Sequence, residues 1–110
     1  METNLFAHSQ VMDFSSIIEY SANGIISKRV LQKSNGNVSL FSFDADQKLS
    51  EHAAPFDALI QAIEGEAEIL IDRKPYLLKA GQSIIMPANI PHAVNAVTRF
   101  KMLLTMIKES

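Results

Sequence analysis

The chain has no cysteine, which excludes disulfides, thiolate metal sites and cysteine nucleophiles together. It has no excess of positive charge either. Ten basic residues stand against twelve acidic ones, for a formal net charge of −2, so there is no basic stripe to attract phosphates and nucleic acid is not an expected partner. Its apolar runs are only a few residues long, far short of a membrane span. There is no glycine-rich phosphate loop. Ser83, His92 and Asp57 can be assembled into a triad on paper, but no local sequence marks a nucleophile elbow. Internal repeats, low-complexity tracts and linkers are absent as well.

What remains is an ordinary globular composition, 47% hydrophobic and 20% charged over 110 residues. That is one domain, just long enough to bury a single core. The first residues, Met1-Glu2-Thr3-Asn4-Leu5-Phe6-Ala7-His8, carry neither a basic n-region nor an apolar h-region. The expectation is therefore a cytoplasmic protein without a secretory signal or membrane segment. Residues 1–24 read as an N-terminal arm and a short helix, and 25–110 as the main unit. The arm is loose or packs on a partner, and no role falls to His8. Asp13 caps the helix, which runs to Tyr20 or Ser21 with Phe14, Ile17 and Ile18 on one face, and Asn23-Gly24 ends it.

From residue 25 onward the periods are those of strands. Segments 25–31 and 38–44 flank an Asn35-Gly36 hairpin signal, and further strands are expected over 58–63, 67–71, 75–78, 83–86, 92–96 and 100–107. Eight or so short strands separated by turns predict an all-β sandwich or jelly-roll barrel. Phe41, Phe43, Phe100, Met102, Leu104 and Met106 are expected in the core or a dimer interface. Glu64, Glu66 and Glu68 read as a solvated acidic edge.

Three strings carry more than this: Glu51-His52-Ala53-Ala54, Ile63-Glu64-Gly65-Glu66, and the run from Gly81 through Pro87 and Asn89 to His92. The last reproduces the spacing G-x5-P-x-G-x2-H, with Asn89 in place of the second glycine, and Asn tolerates positive φ. Asn95 falls one residue before the final Asn of that pattern. Counting back from Gly65, the pattern G-x5-H-x-H-x3-E-x6-G puts a His at His52. It also puts alanines, Ala54 and Ala58, at the next two ligand positions and Asp46 at the leading glycine. Over residues 25–107 the chain thus resembles the cupin family, with a degenerate first metal motif. The resemblance implies a cupin jelly-roll β-barrel that tends to form homodimers, in a superfamily of diverse functions.

If 52–62 form one regular strand, His52, Ala54, Phe56, Ala58, Ile60 and Ala62 share its inner face. Two imidazoles, His52 and His92, fall short of the three or four ligands a first-row ion ordinarily takes. Asp57 points outward on a regular strand. A bulge at Pro55 swings it inward to complete a two-His-one-carboxylate set, otherwise it bonds a turn. The candidate pocket is bordered by His52, Phe56, Asp57, Ala58, Ile60, Met86 and His92, with His52, His92 and Asp57 as candidate ligands for one divalent transition metal (Fe, Mn, Ni or Zn). Phe56 is expected to lean into the mouth and fill the space left by the alanines.

Three functional readings stay open on the sequence. One is a module that binds a small organic ligand without catalysis. A second is a metal-dependent cupin enzyme of the dioxygenase, isomerase or decarboxylase type. The third is an interaction protein that uses the shell to dimerise. In each the chain is expected as a homodimer, through apolar strand faces or exchange of the arm or the 25–31 strand.

Overall fold

The computed structural model describes residues 6–109. Among these described residues nine strands follow one short helix: β1 (Ile25–Lys33), β2 (Gly36–Phe43), β3 (Lys48–His52), β4 (Asp57–Glu64), β5 (Glu66–Ile71), β6 (Lys74–Lys79), β7 (Ser83–Met86), β8 (His92–Ala96) and β9 (Phe100–Ile107). They form two facing antiparallel sheets, one ordered β1-β2-β9-β4-β7 and the other β3-β8-β5-β6. This is the all-β jelly-roll architecture expected from the strand and turn spacing.

Period-two alternation decides what lies between the sheets. Phe43, Ile60, Ile69, Phe100 and Met102 are essentially fully buried there. The strand that sequence patterning misses is β3. It is a polar edge strand, Lys-Leu-Ser-Glu-His, with only Leu49 to signal burial. An edge strand with one covered side needs no apolar alternation, so nothing distinguishes it from a loop.

Two expectations about the N-terminal region change. The helix, α1, spans only Phe14–Ile17, with Asp13 as its N-cap accepting from the Ser15 amide at 3.0 Å. Ile18 is already extended because it dips into a second apolar cluster with Phe6, Val30 and Leu40. The arm from residue 6 onward therefore packs on its own sheet, over the outer face of β1, β2 and β9. Polar contacts pin it there. The Ser42 hydroxyl donates to the Glu19 carbonyl (2.7 Å) and the Lys28 ammonium to that of Ile17 (2.9 Å). Buried Lys101 donates to the Ser15 carbonyl and faces Glu64 at 3.5 Å. Glu64 also accepts from the Tyr20 hydroxyl at 2.7 Å. Burial, then Glu64 itself, pushes the Tyr20 phenol well above its ordinary range. Two of the three acids expected on a solvated edge are thus engaged, since Glu68 likewise accepts from Asn95 at 3.1 Å.

The arm covers only part of that outer face. Leu31, Val38, Thr105, Leu59 and Ile85 lie in one cross-strand row spanning all five strands, of which Val38 packs against the arm's cluster. Leu31, Ile85 and nearby Ile107 are exposed.

Candidate functional site

The mouth of the barrel is made by two chain reversals. Residues 53–56 cross from β3 in one sheet to β4 in the other, and residues 87–91 return from β7 to β8. The two links are tied together. The Asn89 amide donates to the Ala54 carbonyl (2.8 Å), and the Ala88 amide donates to the Asp57 carboxylate (3.0 Å). Asn89 takes φ 66°, the left-handed conformation expected where the pattern prefers glycine. Asp46, at the other vacated glycine position, does the same with φ 69°.

The reading of 52–62 as one continuous strand is therefore corrected. Pro55 lies in the crossover, so His52 and Ala58 stand on opposite sheets and face one cavity from its two sides. The irregularity that matters lies earlier than Pro55. Between Leu49 and His52 strand β3 carries one residue more than β8, which pairs Val94 with Leu49 and His92 with His52. Without that bulge His52 would point away from the face that Leu49 presents. With it, both line the cavity.

His52 and His92 meet there. Their Nε2 atoms are 3.2 Å apart and their rings stand edge-on, with centroids 4.4 Å apart. Each Nδ1 is bonded to a backbone carbonyl, His52 to Ser50 at 2.9 Å and His92 to Ile90 at 3.2 Å. A carbonyl only accepts, and the neutral assignment that satisfies both carbonyls puts the hydrogen on each Nδ1. When both rings are neutral, each Nε2 then presents a lone pair to the other. Two facing lone pairs with no hydrogen between them call for a donor or a cation.

His92 is buried, whereas His52 is exposed. Burial, and after it the neighbouring His52, holds the His92 imidazole below its ordinary range, against an opposing pull from the Ile90 carbonyl. The unfolded chain takes up this proton near pH 6.5, while the folded chain resists it. Stability is therefore expected to fall as pH drops below about 6.5 and to level off below the folded value. Thermal melts from pH 7.5 to 5 check this. His92→Gln should flatten that part of the profile, and an unchanged slope would contradict the assignment.

The cavity holds about 260 Å³ and is otherwise apolar: Phe41, Leu49, Ala58, Met86, Val94, Met102, Leu104 and Met106 join the two histidines. Four of the residues expected at the pocket, His52, Ala58, Met86 and His92, are in it. Ile60 is instead fully buried in the core. Phe56 sits half-buried in the crossover with the Lys108 ammonium 5.1 Å above its ring, and does not line the mouth. Asp57 lies on the outer face of β4 with Leu59, its carboxylate occupied by the Ala88 amide. It bonds a turn and supplies no third ligand. Sequence reasoning passes over Met106 as a pocket residue, although its even spacing from Met102 places it on the same inner face.

Among the described residues no group of three His, Cys, Asp or Glu side chains converges on one point. Two imidazole nitrogens do not make the donor set that iron, manganese, nickel or zinc takes in three- or four-ligand protein sites. Also among the described residues, no helix is long and apolar enough to cross a membrane.

The cupin domain family matches residues 39–108. Among solved structures, a conserved protein of unknown function from Streptococcus pyogenes is 35% identical with a TM-score of 0.91, over 98% of this chain and 94% of that one. A cupin superfamily protein from Desulfitobacterium hafniense is 29% identical with a TM-score of 0.88, over 97% of both chains. A cupin 2 conserved barrel domain protein from Leptotrichia buccalis is 40% identical with a TM-score of 0.83, over 86% of this chain and 46% of that one. No curated protein matches. With the family covering most of the barrel and whole-length relatives sharing its fold, the chain belongs to the cupins.

Proposed function

We propose that this cupin is a cytoplasmic, homodimeric binding protein. It takes a small, largely apolar organic molecule into the barrel mouth and anchors it through a hydroxyl or protonated amine on the His52–His92 pair. The observation that carries this reading is the pair itself: two Nε2 atoms 3.2 Å apart, with each Nδ1 against a backbone carbonyl, at the edge of an apolar cavity. An apolar pocket with a few convergent polar groups is the usual form of a small-molecule site. Its volume of about 260 Å³ lies below the roughly 300–1,000 Å³ typical of drug-sized ligands, so the ligand is small. The methyl resonances of Met86, Met102 and Met106 report on occupancy. A panel of small apolar alcohols and amines should shift them saturably in the wild type and not in His92→Ala. If no member shifts them, or His92→Ala binds as well as the wild type, the reading fails.

The part of this row that the arm leaves open, with Leu31 and Ile85 exposed, supports the dimer, since a second copy of the chain can cover it. Light scattering at micromolar concentration should give a dimer for the wild type. Leu59→Glu combined with Ile85→Glu should give a monomer that keeps its fold. A monomeric wild type, or a double variant that stays dimeric, would contradict this.

A further inference from the structure

Ala58, where the family pattern has an acidic ligand, is flanked in register by two methionines. Met86 on β7 and Met106 on β9 are its direct cross-strand partners. All three side chains line the cavity, as do Met102 and both histidines. Three of the chain's five methionines thus converge on one apolar space. The histidines come from one sheet and the methionines from the other, and facing sheets pack about 10 Å apart. Imidazole and thioether side chains from the two sheets thus border the same cavity.

Every donor in this set is neutral and most are soft. Thioether sulfur and imidazole nitrogen together favour Cu(I) over hard or borderline divalent ions. Charge points the same way. The cost of bringing an ion out of water grows with the square of its charge, so a divalent ion pays roughly four times what a monovalent one does. No carboxylate in the cavity offsets that cost. Between the two Nε2 lone pairs, a monovalent cation supplies the positive charge that their geometry lacks.

We propose that the mouth of this barrel is a soft monovalent cation site, selective for Cu(I) and its redox-inert analogue Ag(I). His52 and His92 hold the ion through Nε2, and Met86 and Met106 hold it through Sδ. The inference rests on the mouth being a binding site and adds an ion at its polar end. The plain alternative is that the methionines only fill space, which their flexibility suits them to do.

The test uses the full chain, freed of metal with a chelator, and two probes, Ag(I) and Zn(II), each added alone. Methionine methyl resonances and direct affinity measurements are read together. Ag(I) should saturate at one ion per chain, shift the Met86 and Met106 methyls and leave that of Met12 in place. It should also bind at least about 100-fold more tightly than Zn(II). Met86→Leu with Met106→Leu keeps the volume and removes both sulfurs, and should weaken Ag(I) by about 100-fold or more. Zn(II) binding as tightly as Ag(I), silver binding that leaves both methyls unshifted, or full affinity in the double leucine variant would each overturn the proposal. If Ag(I) fails to bind while the alcohols and amines still shift the methyls, this inference falls and the organic-ligand site stands. If neither does, both fall.

Discussion

Gly65→Ala is expected to destabilise the fold by about 2–5 kcal/mol, from the left-handed backbone and from overpacking. Gly65 has φ 76°, and a Cβ built there would lie 1.8 Å from the Arg99 carbonyl oxygen and 2.7 Å from Thr98 Oγ1. The first of these is backbone and cannot rotate away. Relief requires the turn between β4 and β5 to lift off the 98–99 loop. That would break the hydrogen bonds of Glu66 to this segment, its amide donating to Thr98 Oγ1 (3.0 Å) and its carbonyl accepting from the Val97 amide (3.0 Å). Gly81 provides the control. Its φ is 89°, but no atom lies within 4 Å of the place a methyl group would take there. Gly81→Ala should therefore cost only the conformational share, about 1–2 kcal/mol. Denaturant midpoints of the two variants check the difference. Equal losses, or a Gly65→Ala loss under about 0.5 kcal/mol, would contradict the packing argument. A domain of ordinary stability, about 5–15 kcal/mol, is expected to lose a large share of its margin to the first change and still fold.

The second large effect is a gain. Ala58→Glu should create tight Zn(II) binding where the wild type has little. Ala58 is buried on the inner face of β4, opposite the His52–His92 pair across the cavity. A carboxylate there adds a third, charged ligand to the two Nε2 atoms, giving the two-histidine, one-carboxylate set of many zinc and iron sites. The neighbouring Met86 and Met106 are flexible enough to make room. Zn(II) affinity is expected to rise by about 1,000-fold or more, with a matching rise in melting temperature at saturating metal. Without metal the variant should be less stable than the wild type, because it buries a carboxylate among apolar side chains. If it folds and binds Zn(II) no better than the wild type, position 58 does not face the histidine pair.

Much of this architecture is legible in the chain itself. The Gly81-Pro87-Asn89-His92 spacing and the alternating apolar segments specify a jelly roll because turns and period-two burial are local properties of the chain. His52 and His92 come together as expected, 40 residues apart in sequence and 3.2 Å apart in space. The route by which they meet is not legible. A strand bulge between Leu49 and His52 has no residue signature of its own, whereas Pro55 offers a visible reason for a bulge in the wrong place. The expectation for Asp57 as a ligand follows from that error. Its carboxylate is taken by the Ala88 amide, a long-range contact that spacing alone does not encode. On sequence pattern Met86 reads as a pocket residue, and Met102 and Met106 as core or dimer interface. Their registration on either side of Ala58 depends on β7 and β9 both pairing with β4, and that is a property of topology.

Long-range nitrogen–proton NMR of the two imidazoles at pH 7.5, on the protein without added ligand or metal, reads the tautomer of each ring. Binding at the mouth rests on paired Nε2 lone pairs. The expected spectrum shows both His52 and His92 as Nδ1–H tautomers, each with an unprotonated Nε2. An Nε2–H tautomer on either ring would give the pair its own internal hydrogen bond, leave no unmet demand for a donor or cation, and rule out binding through paired lone pairs.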